Sequence, residues 1–223
     1  PVATSRLRAF LTALRNEGIY ANLNLHVGYT FRPAVDQVPA LPQGVEFPRQ
    51  SKPLHIFFPR MVELQSEFTR RVIQALALGD DPVLGMVEIN NETSLAQAWQ
   101  SNRLDQYAQG EYGDELRRQW HAFLKARYSD EAALRAAWGE TPPAGPPLLP
   151  SAGKPGAPPE RVNDYLLFLV DRDRHYHGQM LRAAREAAGP LVPVAGTQMG
   201  YGGLLNLDSH RDLDYDDHHF YID

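Results

Sequence analysis

The feature that most constrains this chain is a regular exchange of strand-like and helix-like periods along it. Ile19 to Val27 alternates with period two. Ile19, Ala21, Leu23, Leu25 and Val27 share one face, and Tyr20, Asn22, Asn24 and His26 share the other. Val83–Asn90, Leu191–Gln198 and about Asp217–Ile222 also read as strands. Helical periods lie between them. Thr4–Glu17 is stopped by Gly18. Pro59–Leu78 carries Met61, Leu64, Phe68, Val72 and Leu76, with its proline in the first turn. Residues 95–139 read as two or three helical pieces, one of them from the cap Ser129 to Trp138-Gly139. Glu160–Ala188 is a long helix with an apolar stripe, closed by Gly189-Pro190.

Strands separated by returns long enough for a crossover predict a parallel sheet and an α/β fold. Four strands are too few for a closed eight-stranded barrel, which takes about 250 residues. The expectation is therefore a partial (half) TIM barrel of about four parallel strands with flanking helices, one domain over residues 1–223. Residues 141–159 hold eight of the 18 prolines and predict an extended surface excursion. A half-barrel leaves two open sheet edges, and a symmetric homodimer is the expected cover.

Composition narrows the function. A net charge of −5 argues against nucleic acid as the main partner. The absence of cysteine removes thiol nucleophiles, disulfides and zinc–thiolate sites, and fits any compartment. No apolar run approaches the roughly 18 residues that a spanning helix needs, so no membrane role is expected. Pro1 in place of Met reads as a processed or excised chain.

The segment Val87-Glu88-Ile89-Asn90-Asn91-Glu92-Thr93 is the sharpest chemical signal. It closes a predicted parallel strand, and barrel enzymes carry their chemistry at that end. A carboxyl there can protonate a leaving oxygen, and an adjacent Asn can bond a sugar hydroxyl. Alternatively, Glu92 opens the helix after Asn91. The terminal run Asp212–His219 is dense in carboxylates and imidazoles. It matches no His-Glu-x-x-His spacing, and His218 and His219 would point to opposite faces of a strand. It is read as a polar loop feeding a strand, with no metal and no cofactor expected. No Gly-x-Ser-x-Gly elbow exists, although Ser94 or Ser209 could lie near a histidine. The Gly-rich run Gly200–Gly203 predicts a loop in which Tyr201 either stacks on a sugar or caps the core. His55 precedes a helix and could line a cleft. Trp99, Trp120 and Trp138 read as helix-packing residues.

The run Pro82–Ser94, with its Asn91-Glu92, resembles the fourth strand of clan A glycoside hydrolases, the (β/α)₈ barrels that include cellulases, mannanases and β-galactosidases. Gly18–His26 is similar to their third strand, Pro193–Gln198 to the fifth and His218–Tyr221 to the sixth. The resemblance implies a glycosidase-type hydrolase acting on a carbohydrate. In it Glu92 is the general acid/base and Asn91 contacts the sugar 2-hydroxyl. His26, Gln198, His219 and Tyr221 line the cleft; Asn24, His55 and Tyr201 are added as candidate substrate contacts from the residue pattern alone, with Asn24 alternatively a buried polar filler. One departure is large. The family's nucleophile is a Glu after the seventh strand, about 5–5.5 Å from the acid/base in a retaining enzyme. The last Glu here is Glu186, inside a helix. Two other expectations stand beside glycoside hydrolysis. One is promiscuous esterase-type hydrolysis through His26 or His219; the other is a non-catalytic carbohydrate-binding fragment.

Overall fold

The structure is a computed structural model that describes residues 2–139, 148–154, 156–198, 203–219 and 222. Helix α1 (Val2–Asn16) buries Leu11 and leaves Phe10 exposed. It hands over through Gly18 to β1 (Ala21–His26). The predicted loop before residue 59 contains two short helices, α2 (Pro33–Asp36) and α3 (Leu54–Phe57). Helix α4 (Pro59–Ala75) starts on its proline, where no N–H is missed, and turns its Met61, Val62 and Ile73 inward. Then β2 (Leu84–Asn90) crosses the middle of the sheet.

Four helices follow where two or three are predicted: α5 (Leu95–Gln100), α6 (Arg103–Tyr107), α7 (Glu111–Arg127) and α8 (Glu131–Trp138). The cap of α8 is Asp130, one residue after the predicted Ser129. Its carboxylate accepts the Ala133 N–H at 2.8 Å, a stronger capping bond than a hydroxyl offers. Of the proline-rich stretch, residues 141–147 and 155 lie outside the described residues. The long α9 (Pro159–Ala188) leads to β3 (Val194–Ala195) and α10 (Gly203–His210).

The sheet has three strands in the order β1-β2-β3, all parallel. The register pairs Asn24 with Glu88, His26 with Asn90, and Glu88 with Ala195. Four strands are predicted, and the difference has a local cause. Leu191 is fully out in solvent, so the run before Pro193 never joins the ladder. After Ala195 the Thr197 N–H is taken by the His210 ring rather than by a strand. The fourth segment contributes one parallel bridge, Gln198 to Asp217; Phe220 and Tyr221 lie outside the described residues.

The core fills the helix-facing side of this sheet. Val87 and Ile89 are fully buried, each worth roughly 1.5–3 kcal/mol of apolar transfer. Helices α4 and α9 pack together behind them, with Ser66 of α4 against Met180 of α9. The predicted packing tryptophans are buried. Trp120 stacks on Phe123 and Trp138 and meets Tyr165 edge-on. Asp164 of α9 ties this layer together by accepting from Tyr128 Oη and Trp138 Nε1 and pairing with Arg127. Among the described residues no helix is long and apolar enough to cross a membrane.

Candidate active site

The C-terminal end of β2 opens into a short segment that is fixed along its length. Glu92 sits at φ +44°, in the left-handed region where a residue with a Cβ is strained. The surroundings hold it there. Its N–H donates to Gln198 Oε1 at 2.5 Å and its carbonyl accepts from Lys52 Nζ at 3.1 Å. Thr93 N–H donates to Thr197 Oγ1 at 3.1 Å. Ser94 caps α5 by accepting the Gln97 N–H, and Asp173 of α9 accepts the Leu95 N–H. Burial pushes the Asp173 carboxyl up to about 8, against the opposing pull of the Leu95 N–H. Upstream, Asn91 N–H donates to the Asn90 side chain at 2.8 Å.

The Glu92 side chain turns toward the C-terminal segment. Its Oε1 lies 3.2 Å from His219 Nδ1, and His219 Nε2 lies 3.9 Å from Asp217 Oδ2. Beyond Asp217 is Glu88 of β2, which alternates with Val87 and Ile89 and so faces the side of the sheet away from the helix core. Glu88 is only 4% exposed. Burial, then a hydrogen bond and like charge from Asp217, push its carboxyl up to about 7; His219 and Asn22 pull the other way. Asn22 Nδ2 approaches Glu88 Oε2 at 3.5 Å. Asn24, paired with Glu88 across the sheet, has a buried Oδ1 that no described residue bonds. Tyr215 closes the group, its hydroxyl pushed up to about 12 by burial and by the charges of Glu88 and Asp217.

The fold thus brings Glu92, Gln198 and His219 together, with Asn91 next in the chain. It takes His26 and His55 elsewhere. His26 Nε2 is 3.2 Å from Thr69 Oγ1 and its ring tilts on Phe68, both on α4. Burial holds its pKa down near 3, so it is neutral. His55 bonds the Ser51 carbonyl and Asn90 Nδ2 and meets Tyr176 edge-on; burial lowers it to about 4. Both rings line a cavity of about 330 Å³ with Leu25, Phe31 and Gln65, between β1 and α4. His26 is bonded to α4, while His55 touches the Glu92 segment through Asn90, whose side chain also accepts the Asn91 N–H. Tyr201 and Tyr221 lie outside the described residues.

Two further expectations resolve here. Ser209 Oγ is 3.2 Å from His210 Nδ1, yet that nitrogen also meets the Asn206 carbonyl at 2.6 Å. His210 Nε2 accepts the Thr197 N–H, so Nδ1 carries the ring proton and cannot take one from serine. The pair is a buried brace. His218 is exposed while His219 turns to Glu92, and neither lies in a strand. Sequence inspection missed Glu88 and Lys52. A signal for Glu88 existed, since a carboxylate between two core residues of a strand must face a different environment from theirs.

No protein-family model and no curated protein sequence matches this chain. Solved structures do. A β-galactosidase from Bacillus circulans sp. alkalophilus is similar over 98% of this chain and 32% of its own, with TM-score 0.66 and 16% identity. PfGH50B is similar over 89% of this chain and 28% of its own, with TM-score 0.54 and 15% identity. The likeness is one of α/β fold, and the chain spans less than a third of the length of either structure.

Proposed function

We propose that this chain is a glycoside-hydrolase-type module acting on a carbohydrate, with Glu92 as its general acid/base. The observation that carries this is the placement of Glu92 at the C-terminal mouth of β2, with its backbone bolted by Gln198 and Lys52 and its carboxylate against His219. That placement occurs in a fold shared over 98% of the chain with part of a β-galactosidase. The sheet with its Gln198–Asp217 bridge is then the beginning of a four-stranded partial barrel, a single domain with the proline-rich excursion on its surface. Asn91 flanks the acid/base as a sugar-binding group, while Gln198, expected in the cleft lining, is fully buried and positions the Glu92 backbone instead.

The carboxyls nearest to Glu92 through His219 are Asp217 and Glu88. The family's nucleophile is a glutamate about 5–5.5 Å from the acid/base, and no glutamate follows Glu186 in this sequence to take that place. Slow turnover is expected. A second reading, general-base cleavage of aryl or short acyl esters, draws on the same contact, because a carboxylate that orients an imidazole equips it to activate water. The exposed edge of β1, where Tyr20 stands in solvent, is the proposed face of a homodimer. A monomer in sedimentation at working concentration would remove that part.

The deciding experiment compares wild type and Glu92→Gln on 4-nitrophenyl β-glycosides and 4-nitrophenyl esters. A positioned general acid/base contributes on the order of 10²–10⁴ in rate, so glycoside cleavage should fall at least 100-fold. Glycoside cleavage indifferent to Glu92→Gln overturns the assignment. Ester cleavage lost in His219→Gln, without any glycoside turnover, selects the second reading. Oligosaccharide binding without turnover of either substrate class would mark a carbohydrate-binding fragment.

A further inference from the structure

We propose that Glu88, Asp217 and His219 form a binding site for one divalent transition-metal ion of the zinc or manganese class. One ligand atom from each lies within 4.8 Å of the other two. The three come from the middle strand and from the segment bridged to Gln198, so two separate parts of the fold converge on one point.

Three features beyond the clustering point to a cation. First, Glu88 is only 4% exposed, yet its Oε1 has no N–H or O–H donor of an ordinary kind among the described residues, its neighbour Asp217 being a second carboxyl. The groups that face it are Asn22, Asp217, His219 and Tyr215; no lysine or arginine is among them. The buried Glu88 carboxyl stands beside the partly exposed Asp217 carboxyl, and an ion between them would offset their like charge. Second, the His219 ring lies between two carboxylates, its Nδ1 3.2 Å from Glu92 Oε1 and its Nε2 3.9 Å from Asp217 Oδ2, so Nε2 is presented to the same point as Asp217 and Glu88. A histidine that donates one nitrogen to a carboxylate and offers the other to a metal is the usual outer-shell arrangement. Third, Asn24 adds a buried amide oxygen that no described residue bonds, from the neighbouring strand and in register with Glu88.

The donor set is two oxygens and one imidazole nitrogen, which favours zinc or manganese over magnesium or calcium. Bonds of about 2.0–2.2 Å draw the three side chains in slightly and leave room for water. Glu92 would act on the ion only through the imidazole. The site stands or falls independently of glycoside turnover, because binding alone reads it out.

The test is calorimetric titration of the chelator-treated full chain with zinc chloride or manganese chloride, beside its thermal melt. One ion per chain should bind, with a rise in melting temperature. Glu88→Gln, Asp217→Asn and His219→Gln should each weaken binding at least tenfold, and Glu92→Gln by roughly 10-fold through the ring it orients. The exposed His218→Gln should change nothing. Far-UV circular dichroism of each metal-free variant separates lost binding from lost folding, and the half-buried Asp217 and His219 serve where Glu88→Gln does not fold. Wild type that shows no saturable binding below about 1 mM overturns the proposal. So does binding that survives both Asp217→Asn and His219→Gln, or binding that is lost in His218→Gln.

Discussion

Asp173 offers a direct test of how the Glu92 segment is held. It lies on α9, is 2% exposed, and accepts the first N–H of α5 at 3.1 and 3.3 Å through its two oxygens. Burial lifts its carboxyl from 3.8 to about 8. The folded chain therefore keeps a proton on Asp173 that the unfolded chain loses. For a carboxyl raised in this way, the stability contribution is complete below pH 3.8 and drains away as pH rises toward 8. One proton's difference is worth about 1.4 kcal/mol per pH unit. Asp173→Asn keeps the shape and an acceptor for Leu95 but cannot titrate. Relative to this variant, wild type should lose about 2.7 kcal/mol between pH 5 and pH 7. Buried His26, His55 and His177 titrate in the opposite sense, and they cancel in the difference. Urea unfolding followed by tryptophan fluorescence at pH 5, 6 and 7 measures it. A difference that stays flat within about 0.5 kcal/mol would show Asp173 ionised in the folded chain, and the account of this brace would be wrong.

Three further outcomes follow from the contacts. Gln198→Ala strips the Glu92 N–H of its acceptor and should cost about 1–3 kcal/mol in chemical denaturation, with a larger loss in any Glu92-dependent turnover than in ligand binding. Gly196→Ala would place a Cβ 2.4 Å from the His210 ring, which Thr197 and Asn206 hold on both sides; a cost of about 1–3 kcal/mol and a lower melting temperature are expected. Asp164→Ala leaves the buried Trp138 Nε1 without its acceptor, at about 1–3 kcal/mol, with less from the partly exposed Tyr128 Oη, read as a drop in urea midpoint.

The parts of the fold legible in the sequence are those where one period dominates a long enough window. β1, β2, α4 and α9 lie within a few residues of their expected bounds, because alternation or a stripe runs unbroken through each and proline or glycine punctuates the ends. The third strand was over-read for a physical reason. Leu191-Val192-Pro193-Val194-Ala195 is apolar enough for a buried strand, but only Val194 and Ala195 form it, with the Pro193 carbonyl accepting the Val87 N–H and Leu191 left in solvent. Helices α2 and α3 span one turn each, too short to show a period. α10 begins inside a glycine-rich run that reads as loop, and its own polar residues face inward: Asn206, Ser209 and His210 are buried around hydrogen bonds to each other and to Thr197.

The site divides in the same way. The position of Glu92 just past the end of β2 was legible because the alternating strand and the two asparagines before it are its neighbours in the chain. For His26 and His55 the sequence suggests a cleft setting, but their contacts with Thr69 and Asn90 join parts of the chain that no local pattern connects. Glu88 was illegible for the converse reason. Alternation assigns it to the face opposite Val87 and Ile89, but what it meets there is supplied by Asp217, Tyr215 and His219 from the far end of the chain. A lone buried carboxylate at that strand position would be an expensive accident. Two carboxyls, an oriented imidazole and an orphaned oxygen form a group whose charge must be settled by something shared, a proton or a cation. The fold fixes the three side chains from two directions, so settling that charge also settles where His219, and with it the Glu92 carboxylate, can stand.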